Sequence, residues 1–405
     1  MMEKKWFMIL CALGIHLSIG SLYAWSQVIL QIQTLHHINW SLAQITFSFS
    51  LSVLTLGLTA ALCGSFVEKY GARISGIISA IFFSVGLILS GIALKTGSIS
   101  LLYLGYGLFA GIGIGIGYIT PISTLLKWFD NSRGLAMGLT IMGFGFGAML
   151  EMFLIKKIFP ELGVINIGDM LMYLGGIYGA LIMACSIFLV KPKINMTQRS
   201  NASLNLPARK AVKSLRFYLL WIMLFINITC GIAVISVAEQ LGINNTGMSL
   251  SIAATLVFLM SVFNGLGRFI WAFLSDYISR KWTYVLFFAL QILAFYLVAN
   301  ISNILLFSIF ILMILSCYGG GFSLAPAFIA DIFGTKEPGT IHGYILTAWA
   351  AAGIFGPMLI TIIKDYTGNF SSALYVFSVL LFIGLVISVI MLMNIRNVEA
   401  VSSSS

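Results

Sequence analysis

Twelve apolar stretches follow one another along this chain with only short polar breaks between them. They cover residues 6–30, 43–66, 74–94, 100–126, 134–155, 169–190, 216–239, 249–273, 282–299, 303–329, 341–363 and 370–394. A bilayer core about 30 Å thick takes roughly 20 apolar residues as a helix. In hydrocarbon every backbone polar group has to be satisfied internally, so such stretches become helices. Only 8% of the 405 residues are charged and 60% are hydrophobic, too little polar surface for a soluble fold of this length. The expected fold class is an all-α integral membrane protein with twelve transmembrane helices and the lipid bilayer as its surroundings. The opening residues Met1 to Lys5 look like the n-region of a signal peptide. The apolar run after them continues to about Leu30 without a small-residue cleavage site, so it reads as a retained first span.

The longest polar segment, Lys191 to Leu215, divides the spans six and six. The expected domains are an N-terminal half (1–190), a linker (191–215) and a C-terminal half (216–405). With the N-terminus inside, 17 of the 22 Lys and Arg residues fall in inner segments and four in outer ones. The positive-inside rule then places both termini and the linker in the cytoplasm, in an inner (plasma) membrane. This topology accounts for the net charge of +10, and no nucleic-acid partner is expected. The five cysteines (Cys11, Cys63, Cys185, Cys230, Cys317) lie inside apolar stretches without metal or redox spacing, so no metal site is expected. No cofactor is expected either: the run Gly111-Ile-Gly-Ile-Gly-Ile-Gly117 follows no strand and sits within a span, which excludes a nucleotide loop.

One charge lies deep in a span. Arg268, in Asn264-Gly-Leu-Gly-Arg268-Phe-Ile-Trp271, costs at least about 2.5–3.5 kcal/mol at a bilayer centre, so it faces a polar interior and a partner. Its default reading is a fixed cation awaiting an anion; the alternative is an Arg satisfied by backbone carbonyls. In the first span His16, Tyr23, Trp25, Ser26 and Gln27 interrupt the apolar pattern, and His16 and Tyr23 share a face. His16 is a candidate proton site, or else bonds a neighbouring helix. His36 and His37 fall in an outer loop. Gly107, Gly111 and Gly115 form a seam suited to close helix packing, and Gly134, Gly138, Gly143 and Gly147 repeat it in the fifth span. Tyr118, and Tyr318 with Phe322, stand at corresponding places in the fourth and tenth spans. Glu151, Asp169, Glu239 and Asp331 lie near span ends and read as interfacial, leaving no acid deep in any span.

The two halves repeat. Gly64-Ser-Phe-Val-Glu68-Lys69-Tyr-Gly71-Ala-Arg73 joins the second and third spans, and Ala272-Phe-Leu-Ser-Asp276-Tyr-Ile-Ser279-Arg280-Lys281 joins the eighth and ninth. Each has an acid, a small residue three on, then bases. This resembles the signature loop of the major facilitator superfamily, although Glu68, Ala272 and Ser279 depart from its usual residues. The resemblance implies the major facilitator fold, two six-helix pseudo-symmetric halves with a site between them near the midplane. It also implies gating loops in which Glu68, Arg73, Asp276 and Arg280 take part, the acids pairing with bases of neighbouring loops.

Several stretches are similar to the oxalate/formate antiporter family, a branch that includes bacterial monocarboxylate carriers. They are Tyr23-Ala-Trp25-Ser26, the glycine run to Tyr118, Arg133-Gly-Leu-Ala-Met-Gly138, Gly143-Phe-Gly-Phe-Gly147, Asn264 to Arg268, and Thr347-Ala-Trp349. The resemblance implies that Arg268 pairs with a substrate carboxylate, joined by Asn264, Tyr118 and Tyr318, with Tyr23, Trp25, Phe322 and Trp349 around the cavity. Oxalate carriers have a lysine where this chain has Trp349. One cation neutralises one carboxylate, so the expected cargo is a small monocarboxylate such as lactate, pyruvate or formate, moved by a monomer, with protons as a candidate co-substrate. Exchange of oxalate or other dicarboxylates, and a sensor that binds without transport, stay open. Enzyme activity is not expected.

Overall fold

The structure, a computed structural model, describes residues 2–32, 35, 39–129, 132–192 and 206–403. His36, His37, Lys193 and Arg199 lie outside the described residues, as do the side chains of Ser26 and Gln27.

Helix α1 (Met2–Ile19) passes through a 3₁₀ turn (Gly20–Ala24) into α2 (Trp25–Ile32). Next comes α3 (Leu42–Thr96), 55 residues long. The fourth pass is α4 (Ile99–Leu102), a π-helical turn (Tyr103–Ala110) and α5 (Gly111–Leu125). The fifth is α6 (Arg133–Phe153), a second π turn (Leu154–Ile158) and α7 (Phe159–Glu161), followed by α8 (Ile167–Phe188). After the short α9 (Ala208–Ala211) come α10 (Leu215–Ser236), α11 (Ala238–Thr246) and α12 (Leu250–Ile278). Then follow α13 (Arg280–Asn300), α14 (Ile304–Phe333), α15 (Pro338–Ile345) running into α16 (Thr347–Thr367), and α17 (Ser371–Ser403). Many passes begin at a residue that can cap free N–H groups. The side chains of Ser41, Ser98, Asn166, Ser214, Ser249 and Asn303 each accept a bond from the first turn of the helix they open.

Eleven helices among the described residues are long and apolar enough to span a membrane, and α3 accounts for two of the twelve expected passes. At 1.5 Å per residue it would be about 80 Å long if straight, more than twice a bilayer core. It turns back at Gly71, whose φ of 82° breaks the helix. The fourth pass touches both arms: Gly115 meets Leu56 and Thr59 before the turn, and Gly113 meets Phe83 after it. The seam at Gly107, Gly111 and Gly115 therefore packs within its own half, against the second pass. In the fifth pass the glycines divide. Gly134 and Gly138 lie against α12 in the other half, whereas Gly143 and Gly147 lie against the first pass.

The repeated loops match down to the backbone. Ser279 has φ 79° and ψ 146°, against 82° and 173° for Gly71, and it is the one non-glycine with positive φ among the described residues. That region is nearly glycine-only and costs other residues about 1–3 kcal/mol. Replacing Ser279 by glycine is expected to stabilise the protein by about 1 kcal/mol, seen as a raised midpoint in a thermal melt of the detergent-solubilised protein.

The loops also bind the opposite half. Glu68 accepts hydrogen bonds from the Ser123 hydroxyl (2.7 Å), from Lys127 and from the Gly339 backbone N–H (2.9 Å) at the start of α15. Asp276 accepts from the backbone N–H groups of Gly134 (3.0 Å) and Leu135 (2.9 Å) at the start of α6, and from Arg280. Each motif acid thus caps the N-terminus of a helix in the other half, where backbone donors and the helix dipole favour an anion. Asp331 adds ion pairs to Arg133 (2.9 Å) and Arg280 (3.2 Å). Arg73 takes no such part; its Nε donates to the carbonyl of Ile187 in its own half (3.0 Å). The expectation that the acids pair with bases of neighbouring loops holds for Glu68, which pairs with Lys127, whereas Asp276 pairs with Arg280 of its own loop. The helix N-termini add backbone donors, one N–H to Glu68 and two to Asp276.

From these loops to the midplane the halves are closely packed. A Cβ on Gly64 would lie 2.6 Å from Thr340 Cα, and one on Gly145 would lie 2.5 Å from Gly265 Cα. The end of the bundle where the bases gather is therefore closed.

Candidate functional site

Arg268 lies ten residues before the end of α12, about 15 Å along the axis and so near the middle of a bilayer core. It is 0% exposed and is the only buried Lys or Arg among the described residues. Its Nε donates to Asn264 Oδ1 one turn back (3.2 Å), and Nη1 donates to the Ile141 carbonyl (3.4 Å). Nη2 has no partner. The guanidinium carbon stands 4.8 Å from the ring centre of Phe322, 5.3 Å from Phe144 and 6.0 Å from Tyr23. Aromatic faces attract a cation, but they leave its hydrogen-bond donors idle.

The rings come from both halves. Trp349 on α16 is fully buried, 4.8 Å from Phe322, 5.6 Å from Phe144 and Tyr118, and 6.3 Å from Tyr23, centre to centre. The Tyr23 and Tyr318 hydroxyls meet at 3.2 Å across the interface. Tyr118 Oη and Trp349 Nε1 are buried without partners, like Arg268 Nη2. Each such atom costs about 1–3 kcal/mol while unpaired. Donor groups thus concentrate around one cation, with no carboxylate paired to it among the described residues, an arrangement chemically able to accept an anion with several acceptor oxygens.

Seven of the eight predicted site residues gather here: Arg268, Asn264, Tyr118, Tyr318, Phe322, Trp349 and Tyr23. Asn264 holds the guanidinium in place. Trp25 does not join them. It stacks on Tyr106 of the fourth pass at 3.6 Å. Two positions beyond Tyr23, it points to a different face of the helical chain. His16 stands behind Tyr118, its ring 5.0 Å away, with Nδ1 2.9 Å from the Thr140 carbonyl and Nε2 3.1 Å from the Tyr118 carbonyl. It bonds neighbouring helices, the second of its two readings. Two contributors escaped the sequence reading. Phe144 packs against Tyr23, Tyr118 and Trp349 and beneath the Arg268 guanidinium, yet it lay within a glycine motif that pointed only to packing. His342 is buried with both ring nitrogens unpartnered and its ring stacked 6.0 Å from Tyr118. It precedes Trp349 by seven residues, hence two turns and one face, which is the signal that could have found it.

Comparison with known proteins agrees with this architecture. The model of the Major Facilitator Superfamily matches residues 8–238 and 220–404. The chain belongs to the Major Facilitator Superfamily. This facilitator is 27% identical to the oxalate:formate antiporter of Oxalobacter formigenes, over 88% of this chain and 84% of that one. It is 30% identical to monocarboxylate transporter 14 of Mus musculus, over 39% of this chain and 30% of that one. In shape the facilitator resembles the superfamily transporter FucP, solved in its outward conformation, with a TM-score of 0.74 at 14% identity, covering 95% of this chain and 98% of that one. Fold and relatives are those of membrane transporters.

Proposed function

We propose that this transporter carries small monocarboxylate anions, of the lactate, pyruvate or formate kind, by alternating access. The observation that carries the reading is Arg268, a buried cation whose Nη2 is unpaired and whose surroundings supply donors but no second cation. A carboxylate bound there takes parallel N–H bonds from the guanidinium, the geometry that arginine favours. Tyr118 and Trp349 donate to its remaining oxygens, and the aromatic walls exclude water, which strengthens the pairing. A dianion would leave one charge unpaired in the same low dielectric, at several kcal/mol. Trp349 occupies the place where oxalate carriers have their second cation, so oxalate is disfavoured. The relative named as an oxalate:formate antiporter supports anion exchange as a second mode.

In this reading the transporter works as a monomer in the plasma membrane without catalysis, its basic end and both termini in the cytoplasm. The two six-helix halves, joined by residues 191–215, rock about the site. The caps at Glu68 and Asp276 then close the cytoplasmic side, as here, and their release opens it. Labelled L-lactate in proteoliposomes tests the proposal, with unlabelled lactate, formate and oxalate as competitors. Lactate and formate are expected to exchange and oxalate to compete weakly. Exchange with oxalate and none with lactate would overturn the reading.

A further inference from the structure

One buried acid takes no part in the Arg268 site. Glu151, 18 residues and about 27 Å along the fifth pass, was expected at the membrane interface but is only 3% exposed. Gly147, one turn before Glu151 on the same face, packs against Gly20 and Ser21 of the first pass. Tyr106 of the fourth pass lies beside the same turn, its hydroxyl donating to the Leu22 carbonyl (3.4 Å), and Tyr178 of α8 is within electrostatic reach of Glu151. No Lys or Arg forms an ion pair with it among the described residues. The nearest bases on its own pass, Lys156 and Lys157, are exposed. Two more polar atoms nearby, Tyr178 Oη and the Nε1 of Trp25 stacked on Tyr106, are buried without partners.

The backbone around Glu151 is irregular on three sides. Ser21 sits in the 3₁₀ turn Gly20–Ala24, Tyr106 sits in the π turn Tyr103–Ala110, and a second π turn begins at Leu154, three residues after Glu151. Such departures inside long helices gather at functional sites. The first of them connects two sites. The turn that holds Ser21 also carries Tyr23 to Arg268 and Tyr318. It is seated directly on Glu151's helix: a Cβ on Gly147 would lie 2.4 Å from the Gly20 carbonyl carbon.

We propose that Glu151 is a proton-binding site, linked to the anion site through the Gly20–Ala24 turn, so that one proton travels with each monocarboxylate. The inference rests on the monocarboxylate reading. As the anion arrives the carboxylate takes a proton from hydronium, one O–H bond of hydronium breaking as that of the acid forms and water being left. On the other side the acid returns the proton to water as hydronium. Hydroxyl neighbours suit a neutral carboxyl, which both donates and accepts. An anion at Arg268 brings a second negative charge into the bundle, and a proton on Glu151 removes the repulsion. One anion and one proton together carry no net charge.

Proteoliposomes holding the full chain, given labelled L-lactate and an inward gradient of one pH unit, test this. The native protein is expected to accumulate lactate about tenfold, the limit for one proton per anion. Glu151→Gln, which keeps the shape of the protonated acid, is expected to lower the ratio of gradient-driven uptake to lactate counterflow about tenfold. If Glu151→Gln accumulates lactate as the native protein does, or if accumulation follows a sodium gradient instead, the inference is overturned. Should the variant fail to fold, the native protein decides alone. Adding lactate to it in weakly buffered detergent solution is expected to remove about one proton from solution per anion bound, and no uptake of protons overturns the inference. If the native protein exchanges lactate but ignores the pH gradient, only this inference fails. If it moves no monocarboxylate in any mode, the reading beneath fails and takes the inference with it.

Discussion

Arg268→Gln is expected to reduce lactate transport by about two to three orders of magnitude while leaving the protein folded. Breaking a buried ion pair from one side costs about 3–5 kcal/mol, and each 1.4 kcal/mol is tenfold in an equilibrium constant. Glutamine can still donate a hydrogen bond, but it cannot neutralise a carboxylate in low dielectric. The empty protein loses little. Arg268 makes two long hydrogen bonds and no ion pair, so its charge is a burden on the resting fold. The melting temperature of Arg268→Gln is therefore expected to stay level or rise. Arg268→Lys separates charge from geometry: a point charge that cannot fork across two oxygens should retain weak transport. Native rates in the glutamine variant would show that the anion binds elsewhere.

Asp276→Asn is expected to open the basic end of the bundle. The carboxylate takes two backbone N–H bonds from the opposite half and the charge of Arg280. Asparagine has one acceptor oxygen and no charge, so at least one charge-assisted bond is lost and the rest weaken. At about 1.5–3 kcal/mol for each such bond, the closed state loses a factor of roughly 10–1,000 against its alternative. Spin labels at Lys69→Cys and Lys336→Cys, exposed positions on opposite halves, report the distance across this end. One short distance is expected for the parent protein and a longer population for Asp276→Asn. An unchanged distribution would mean that the acids decorate the loops without holding them. Arg73→Gln, by contrast, touches only its own half and should leave the distances alone.

Much of this was legible from residue types, and the limits have physical causes. Span count and the repeated loops followed from hydropathy and spacing, since hydrocarbon permits few alternatives. The hairpin at Gly71 is tighter than its polar break suggested because a single positive φ reverses the chain. Arg268 announced itself by being charged where charge is costly. Phe144 and His342 did not: an aromatic or a neutral imidazole in a span costs little, and only packing shows which face it takes. Trp25 misled because the resemblance placed it at the cavity with Tyr23, whereas a residue two positions on points to another face and stacks on Tyr106. Glu151 misled for the opposite reason. Its place near a span end suggested headgroups, whereas the residue is only 3% exposed on a helix seated against the first pass. The backbone partners of Glu68 and Asp276, Gly339 and Gly134 with Leu135, lie in the other half, beyond the reach of any local pattern.

Those two partnerships have the same form: an acid in one half fastens the first turn of the fifth helix of the other. Each half therefore carries both the key and the keyhole. A single ancestral half could have closed against its own twin using nothing but this pair of contacts, before the two copies were ever fused. In the fused chain the symmetry has another effect. Both fastenings lie at the same end and join the same halves, so the proposed rocking would stretch the two together, as one door on two latches.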